Sequence, residues 1–150
     1  FHVERSQEDW PIQTQRIAAL AFKTNARAIM DATGLGDPVA QFVRDAGVGV
    51  EEVVLSGSKK KMVIDALRLA FETGAITIPD DEDLIYELES YEYEVTPHGE
   101  IRYSAPEGKH DDIVMGLALA NWGARSIPFG SSRKPVTHRY LPRPSGYVQL

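Results

Sequence analysis

Two adjacent aspartates, Asp111 and Asp112, stand at the start of an apolar segment late in the chain, in the stretch GKHDDIVMGLALANW. One aspartate at a helix start can accept hydrogen bonds from the free N–H groups of the first turn and offset the helix dipole. Successive helical residues point about 100° apart, so two aspartates cannot both do this. Neighbouring carboxylates also repel each other, and a divalent cation removes that cost. The residue types therefore leave two interpretations open, a helix cap and a metal site.

A third carboxylate, Asp31, ends the apolar segment ARAIMDA and precedes a glycine turn. In open α/β sheets the functional site lies beyond the carboxyl ends of the strands, which is where Asp31 would stand. The alternative is an aspartate that hydrogen-bonds the turn or the N-terminus of the next helix. If Asp31 meets Asp111 and Asp112, their oxygen ligands suit Mg²⁺ or Mn²⁺ rather than Zn²⁺. Two such ions about 4 Å apart can promote phosphodiester cleavage.

Lysines stand close to both candidate segments. Lys59, Lys60 and Lys61 open a predicted helix, where positive charge opposes the helix dipole, and Lys109 precedes the aspartate pair. Lysines at a helix start with free N–H groups can contact phosphates, so we predict that these four bind DNA. A solvated lysine run is the alternative for residues 59–61.

The charge distribution is uneven along the chain. Of its 150 residues, residues 1–112 carry all 22 acids and 11 of the 16 bases, a net charge of −11, whereas residues 113–150 carry five bases and no acid. A protein that coats DNA passively is normally basic throughout, so this balance favours local contact with nucleic acid. The chain has no cysteine, which excludes disulfides, zinc–thiolate sites and thiol catalysis.

Hydrophobic periodicity and turn residues predict helices alternating with strands. The predicted helices are 8–24 with Asp9 as cap, a helix capped by Asp37 with Pro38 at its first position and ended by Gly47, 59–73 with Ser58 as cap, 80–91, and a last helix from HDD. The predicted strands are 1–5, 26–32, 50–56 and 75–79, with a β-hairpin over 91–104. This order predicts an α/β domain over 1–125, with a mostly parallel sheet covered on both faces. Residues 126–150 are basic and proline-rich, which indicates an extended tail.

The segments resemble the nuclease domain of the large terminase subunit of tailed bacteriophages. The resemblance rests on ARAIMDATGLGDPVAQFV, followed about eighty residues later by GKHDDIVMGLALA, and on DWPIQTQRI and SGSKKKMVIDALRLAFETGAITIP. It covers about residues 1–125. It implies an RNase H-like mixed sheet flanked by helices, with a β-hairpin before the last helix.

The resemblance also implies roles for the three aspartates. Asp31 matches the second catalytic acid of the family, and Asp111 and Asp112 match its last acidic motif, with Asp112 favoured as the direct ligand. All three are therefore expected to be catalytic and to bind Mg²⁺ or Mn²⁺, with two ions expected. The hairpin matches one that lies beside the active site. The first catalytic aspartate of the family lies upstream of the match to FHVERS, and we expect that segment in the native protein.

The implied activity is cleavage of concatemeric double-stranded viral DNA during genome packaging, in the cytoplasm of the host. The implied partners are this DNA, an ATPase domain further upstream, the portal and the small terminase subunit. No apolar run reaches the roughly 18 residues that cross a bilayer, so no membrane partner is expected.

Two other functions fit the residues. A non-catalytic docking module would bind DNA or a packaging partner through the hairpin and the basic tail, with the acids acting only as caps and solubilising charges. A receiver-like or flavodoxin-like domain would also place Asp31 at a strand end. Such domains carry their site acids near the first strand, however, whereas the acid pair here comes late in the chain.

Overall fold

The computed structural model describes residues 4, 6–34, 37–95, 101–104, 106 and 110–125. The helices in this part of the chain are α1 (Trp10–Thr24), α2 (Asp37–Asp45), α3 (Gly57–Glu72), α4 (Glu82–Ser90) and α5 (Asp112–Arg125). The strands are β1 (Ala28–Asp31), β2 (Val50–Val53), β3 (Glu92–Val95) and β4 (Ile101–Ser104). Lys109, the turn of the predicted hairpin and the tail 126–150 lie outside the described residues.

Strands β1 and β2 form a parallel pair with helices on both faces. Ala28 lies opposite Val50 and Asp31 opposite Val53 in the register. Side chains alternate between the faces of a strand. Ala28 and Met30 accordingly pack on the α1–α2 side, and Ile29 packs on the opposite side. The α/β class and the covering of both faces therefore agree with the sequence prediction.

Two apolar clusters hold these layers together. The smaller contains Ala18 and Ala21 of α1 together with Val43 and Val48. The larger joins α3, α4 and α5 beneath the other face of the strand pair, and its largest fully buried side chains are Val63, Leu84 and Val114. None of the described helices has the length and apolar character to cross a membrane.

The N-termini of α1 and α3 differ from the sequence prediction. Asp9 occupies the cap position of α1, but its side chain makes no capping hydrogen bond. At α3 the cap is Ser56, whose hydroxyl accepts a hydrogen bond from the N–H of Lys59, so the assignment of Ser58 was wrong. The helix starts two residues earlier than predicted, which moves Ser58 into its first turn.

The C-terminal ends of two helices follow the glycine signals in the sequence. Gly47 follows α2 with φ +87°, and Gly74 follows α3 with φ +64°. These are left-handed conformations that glycine adopts without the steric cost of a Cβ. Both helices therefore end where the sequence predicted.

Among the described residues, which include only Glu4 of the predicted strand 1–5, the β-structure is smaller than the sequence predicted. β3 and β4 pair in antiparallel orientation, with Tyr93 opposite Tyr103, and the described residues form no single mixed sheet with β1 and β2. Residues 75–79 are not a strand, which corrects the prediction for AITIP. Ile76 and Ile78 are partly buried and still pack against the larger cluster, so these two apolar side chains reflect core contact and not strand pairing. Strand assignment also requires ladder hydrogen bonds to a neighbouring strand.

Helix α5 is fixed to β1 near its C-terminal end. A Cβ on Gly123 would lie 1.6 Å from Cδ1 of Ile29, so only glycine allows this close approach without movement. Beside it, the guanidinium of Arg27 donates to the carbonyl of Gly123 at 2.9 Å and pairs with Glu51 at 2.9 Å. A cation at the C-terminal end of a helix also interacts favourably with its dipole.

Two glycines of α5 provide a matched test of this contact. Gly123→Ala should be less stable than Gly116→Ala by about 1–3 kcal/mol, the usual cost of overpacking. Gly116 is exposed, and a Cβ added there would meet nothing within 4 Å beyond the adjacent backbone of its own helix, so Gly116→Ala reports the gain in helix propensity without a clash. Urea denaturation measures the difference in unfolding free energy between the two variants. In an Ile29→Val background, which lacks Cδ1, the difference between the two alanine variants should largely disappear. Equal stability of the two alanine variants in the unaltered background would contradict the close contact.

Candidate metal centre

The start of α5 is capped by a residue from another helix. Oε2 of Glu87, on α4, accepts the N–H of Ile113 at 2.9 Å and that of Val114 at 3.2 Å. Glu87 is only 4% exposed. The first N–H groups of a helix have no acceptor within the helix, and a carboxylate there also interacts favourably with the dipole. Glu87 therefore performs the role that the sequence offered to Asp111 or Asp112.

Asp111 occupies the cap position but directs its carboxylate elsewhere. Its carbonyl accepts the N–H of Met115 at 2.9 Å, as the cap residue of a helix does. Its Oδ2 accepts from Nζ of Lys60 at 3.0 Å, with both side chains about one quarter exposed. The same ammonium group lies 5.9 Å from the ring centre of Tyr91. Burial raises the pKa of Tyr91, and the charge of Asp111 raises it further.

Asp112 is the more accessible of the two aspartates. Its side chain is 79% exposed, and its Oδ2 lies 3.9 Å from Nδ1 of His110. Both residues line a cavity of about 920 Å³ that is also bordered by Glu4 and Arg16. A carboxylate beside an open cavity is accessible to an ion or a phosphate from solvent.

Asp31 lies at the carboxyl end of β1, where the sequence placed it. Its Oδ1 accepts the N–H of Thr33 at 2.8 Å and also the hydroxyl of Thr33. The same hydroxyl accepts the N–H of Leu55 at 2.8 Å, which ties this turn to the end of β2. Asp31 is therefore exposed and held by its turn, the arrangement that the sequence left as its alternative.

The described residues do not gather a complete metal cage. Among them, no three His, Asp or Glu side chains come close enough together to hold an ion. The elements that carry the acids do contact each other, since α5 packs on β1. The contact between Gly123 of α5 and Ile29 of β1 lies roughly 16 Å along the helix from Asp112, because an α-helix rises about 1.5 Å per residue. Carboxylate oxygens are the ligands that a hard cation such as Mg²⁺ prefers. The described residues bring together fewer of them than such an ion needs.

The three lysines of α3 each have a partner within the chain. Nζ of Lys59 lies 4.2 Å from the ring centre of Trp122, and Lys60 pairs with Asp111. Lys61 pairs with Asp65 one turn further along the helix. Contact with a phosphate would have to compete with these interactions, and DNA binding by these lysines stays a prediction.

Asp65 also connects α3 to β4. The hydroxyl of Tyr103 donates to Oδ1 of Asp65 at 2.8 Å. Hydrogen bonds from Lys61 and, more weakly, from Tyr103 lower the pKa of Asp65. The rings of Tyr91 and Tyr103 stack with centroids 6.3 Å apart. The β3–β4 pair is therefore anchored beside the start of α5.

Glu87 is the site residue that the sequence analysis missed, although a signal was present. Glu87 falls between Leu84 and Leu88, on the face of α4 that those residues bury. A carboxylate on an apolar helix face is seldom buried without a partner. That position indicates a buried acceptor for some distant donor, and only the fold identifies the donor.

Comparison with known sequences finds two related proteins. The chain is 34% identical over 113 residues to the large terminase subunits of Thermus phage G20c and of Thermus virus P23-45. The matched region is 74% of this chain and 23% of each relative, so the chain spans about a quarter of their length. No protein-family profile matches the chain.

Comparison with solved structures finds the same group. The large terminase nuclease of the thermophilic phage G20c with bound cobalt superposes with a TM-score of 0.72 at 32% identity, over 79% of this chain and 64% of that one. The same nuclease with bound magnesium gives 0.69 at 32% identity, over 77% and 62%. The large terminase nuclease domain of Thermus phage P74-26 gives 0.68 at 30% identity, over 77% and 60%.

A double-mutant cycle tests the pair formed by Lys60 and Asp111. Lys60→Met and Asp111→Asn should show a coupling of about 0.5–1 kcal/mol in urea denaturation without metal, because both groups are largely shielded from water. The reference is Arg68 with Glu72, an exposed pair at 3.4 Å, whose coupling should be close to zero. Equal coupling in the two cycles would contradict a specific role for Lys60.

The pKa of Asp65 predicts a dependence of stability on pH. Because its folded pKa lies below the unfolded value near 3.8, Asp65 stabilises the fold above that pH, and this contribution is lost as the pH falls through the folded pKa. Tyr103→Phe should cost about 0.5–1.5 kcal/mol at pH 7 and clearly less at the lowest pH where the protein stays folded. Urea denaturation at both pH values measures this, and equal losses would show that the hydroxyl does not bind the carboxylate.

Proposed function

From the premise that this chain is homologous to the nuclease domain of phage large terminase subunits, we propose that it is a divalent-metal-dependent endonuclease domain. Its substrate is concatemeric double-stranded viral DNA, cut during genome packaging. The domain adopts an RNase H-like arrangement and works in the host cytoplasm. Its partners are the ATPase domain of the same large subunit, the portal and the small terminase subunit.

The observation that carries this proposal is the capping of α5 by Glu87. Because Glu87 accepts the N–H groups of Ile113 and Val114, neither Asp111 nor Asp112 is needed as a helix cap. Two carboxylates remain at one helix start, in a chain whose homologues include nucleases with bound cobalt, magnesium and zinc. This supports the metal explanation for the acid pair over the capping explanation.

We assign different roles to the three aspartates. Asp112 binds the ion directly, since its side chain is exposed, and Asp31 binds it from the end of β1. Asp111 supports the site through its pair with Lys60. Mg²⁺ or Mn²⁺ fits these oxygen donors, and two such ions, when bound, supply an activated water and neutralise charge at the phosphate. The remaining ligands come from outside the described residues.

DNA contact in this proposal is independent of sequence. Lys59, Lys60, Lys61 and Lys109 contact phosphates, which orients the duplex without reading bases. Each lysine–phosphate contact releases counterions from the DNA, so affinity should fall steeply as salt rises. For Lys59, Lys60 and Lys61 the phosphate also competes with a partner within the chain.

The test is cleavage of supercoiled plasmid by the full-length native protein with Mn²⁺. Asp31→Asn and Asp112→Asn should each reduce the cleavage rate by at least about 100-fold, because loss of a metal ligand removes several kcal/mol of transition-state stabilisation. Asp83→Asn is the matched control, an exposed carboxylate in the first turn of α4, and should cleave normally. Mn²⁺ should also raise the melting temperature of the unaltered protein and of Asp83→Asn but not of Asp112→Asn.

Undiminished cleavage by Asp31→Asn or Asp112→Asn would reject the assignment of that residue. Absence of cleavage and of any response to Mn²⁺ in the unaltered protein, with DNA binding retained, would favour the non-catalytic docking module instead.

A further inference from the structure

We propose that Glu87 is a positioning residue that sets where the Asp111–Asp112 pair points. The inference rests on the proposed function, because it assigns the pair to metal binding. Glu87 itself acts through the backbone of α5 and does not contact the ion or the DNA.

The geometry of the helix start carries this inference. Asp111 is the cap residue of α5, since its carbonyl accepts the N–H of Met115. A capping side chain accepts the N–H of the second or third residue of the helix, which here are Ile113 and Val114. Glu87 accepts both of these groups at 2.9 and 3.2 Å, so it occupies the acceptor position that Asp111 would otherwise fill.

The capping of α5 by Glu87 has a direct consequence for Asp111. With the cap supplied by Glu87, the carboxylate of Asp111 is available to Lys60 at 3.0 Å. Without Glu87, the N–H groups of Ile113 and Val114 would be left in a buried environment, where an unsatisfied donor is costly. The carboxylate of Asp111 is the nearest substitute along the chain. Turning it into the cap would break its pair with Lys60. It would also leave the first turn of α5, which carries Asp112, without its support from α4.

The position of α4 makes Glu87 a rigid support. Leu84, three residues earlier on the same helix, is fully buried in the larger cluster and packs with Val114 and Leu117. At the end of α4, Tyr91 donates its hydroxyl to the sulfur of Met115. Glu87 is therefore held by contacts on both sides, and a supporting residue positions a metal ligand only if it is itself fixed.

The experiment compares Glu87→Ala, Glu87→Gln and Glu87→Asp in the full-length protein. Glu87→Ala should weaken Mn²⁺ binding by about 10- to 100-fold in isothermal titration calorimetry, the usual effect of losing a residue that supports a metal ligand. Glu87→Gln keeps an oxygen acceptor at the same distance from the backbone, so its affinity for Mn²⁺ should stay within about threefold of that of the unaltered protein. Glu87→Asp keeps the charge but withdraws the oxygen by one methylene, so it should lose affinity.

A second measurement needs no metal. In Glu87→Ala, amide hydrogen exchange of Ile113 and Val114 should be at least about tenfold faster, with exchange in α3 much less changed. The side-chain carboxyl carbon resonances of Asp111 and Asp112 should shift in the same variant, because Asp111 takes over the cap and the first turn of α5, which carries Asp112, loses its support from α4. Leu88→Ala is the control, because it removes packing from the same helix without removing an acceptor, and it should leave these resonances and the Mn²⁺ affinity nearly unchanged.

The outcomes separate this inference from the proposed function. If the unaltered protein binds no Mn²⁺, the proposed function fails, and the exchange rates and carboxyl resonances decide the role of Glu87. Unchanged resonances in Glu87→Ala would overturn it, as would equal losses of Mn²⁺ affinity in Leu88→Ala and Glu87→Ala. If Glu87→Ala does not fold, Glu87→Asp decides, and normal Mn²⁺ affinity in that variant would also overturn the inference.

Discussion

The arrangement at the start of α5 depends on one buried carboxylate, Glu87, that accepts two backbone N–H groups from a distant helix. Such hydrogen bonds are charge-assisted and lie where the dipole of α5 favours negative charge. They connect α4 to α5 and settle which acid caps the helix. The cap is taken by a residue that solvent hardly reaches, and the acids at the helix start remain available to the surface.

The other end of α5 is held by a complementary interaction. Arg27 donates to the carbonyl of Gly123, and Gly123 allows Ile29 to approach the helix closely. A carboxylate at the N-terminal end and a guanidinium near the C-terminal end both match the helix dipole. Since Arg27 precedes β1 and β1 ends at Asp31, the same contacts orient the strand and the helix that carry the candidate acids.

Charge pairing explains how an acidic chain tolerates clustered carboxylates. Lys60 neutralises Asp111, and Lys61 neutralises Asp65, which also receives the hydroxyl of Tyr103. These partners come from the lysine run at the start of α3, so this helix both screens the acid pair and anchors β4. The homologous nucleases bind divalent cations, and a cation here would add to an electrostatic balance that Lys60 already provides in part.

The sequence by itself determined the features that depend on neighbours along the chain. Helices α1 to α5, the glycine ends of α2 and α3, and Asp31 at a strand end all follow from periodicity and turn chemistry, which are local. Tertiary structure decided the rest. In AITIP, Ile76 and Ile78 pack against the core while partly exposed, and without ladder bonds in the described residues the segment is not a strand. Glu87 meets Ile113, and Lys60 meets Asp111, only because folding brings distant residues together, and no local pattern specifies which distant donor a buried acceptor will find.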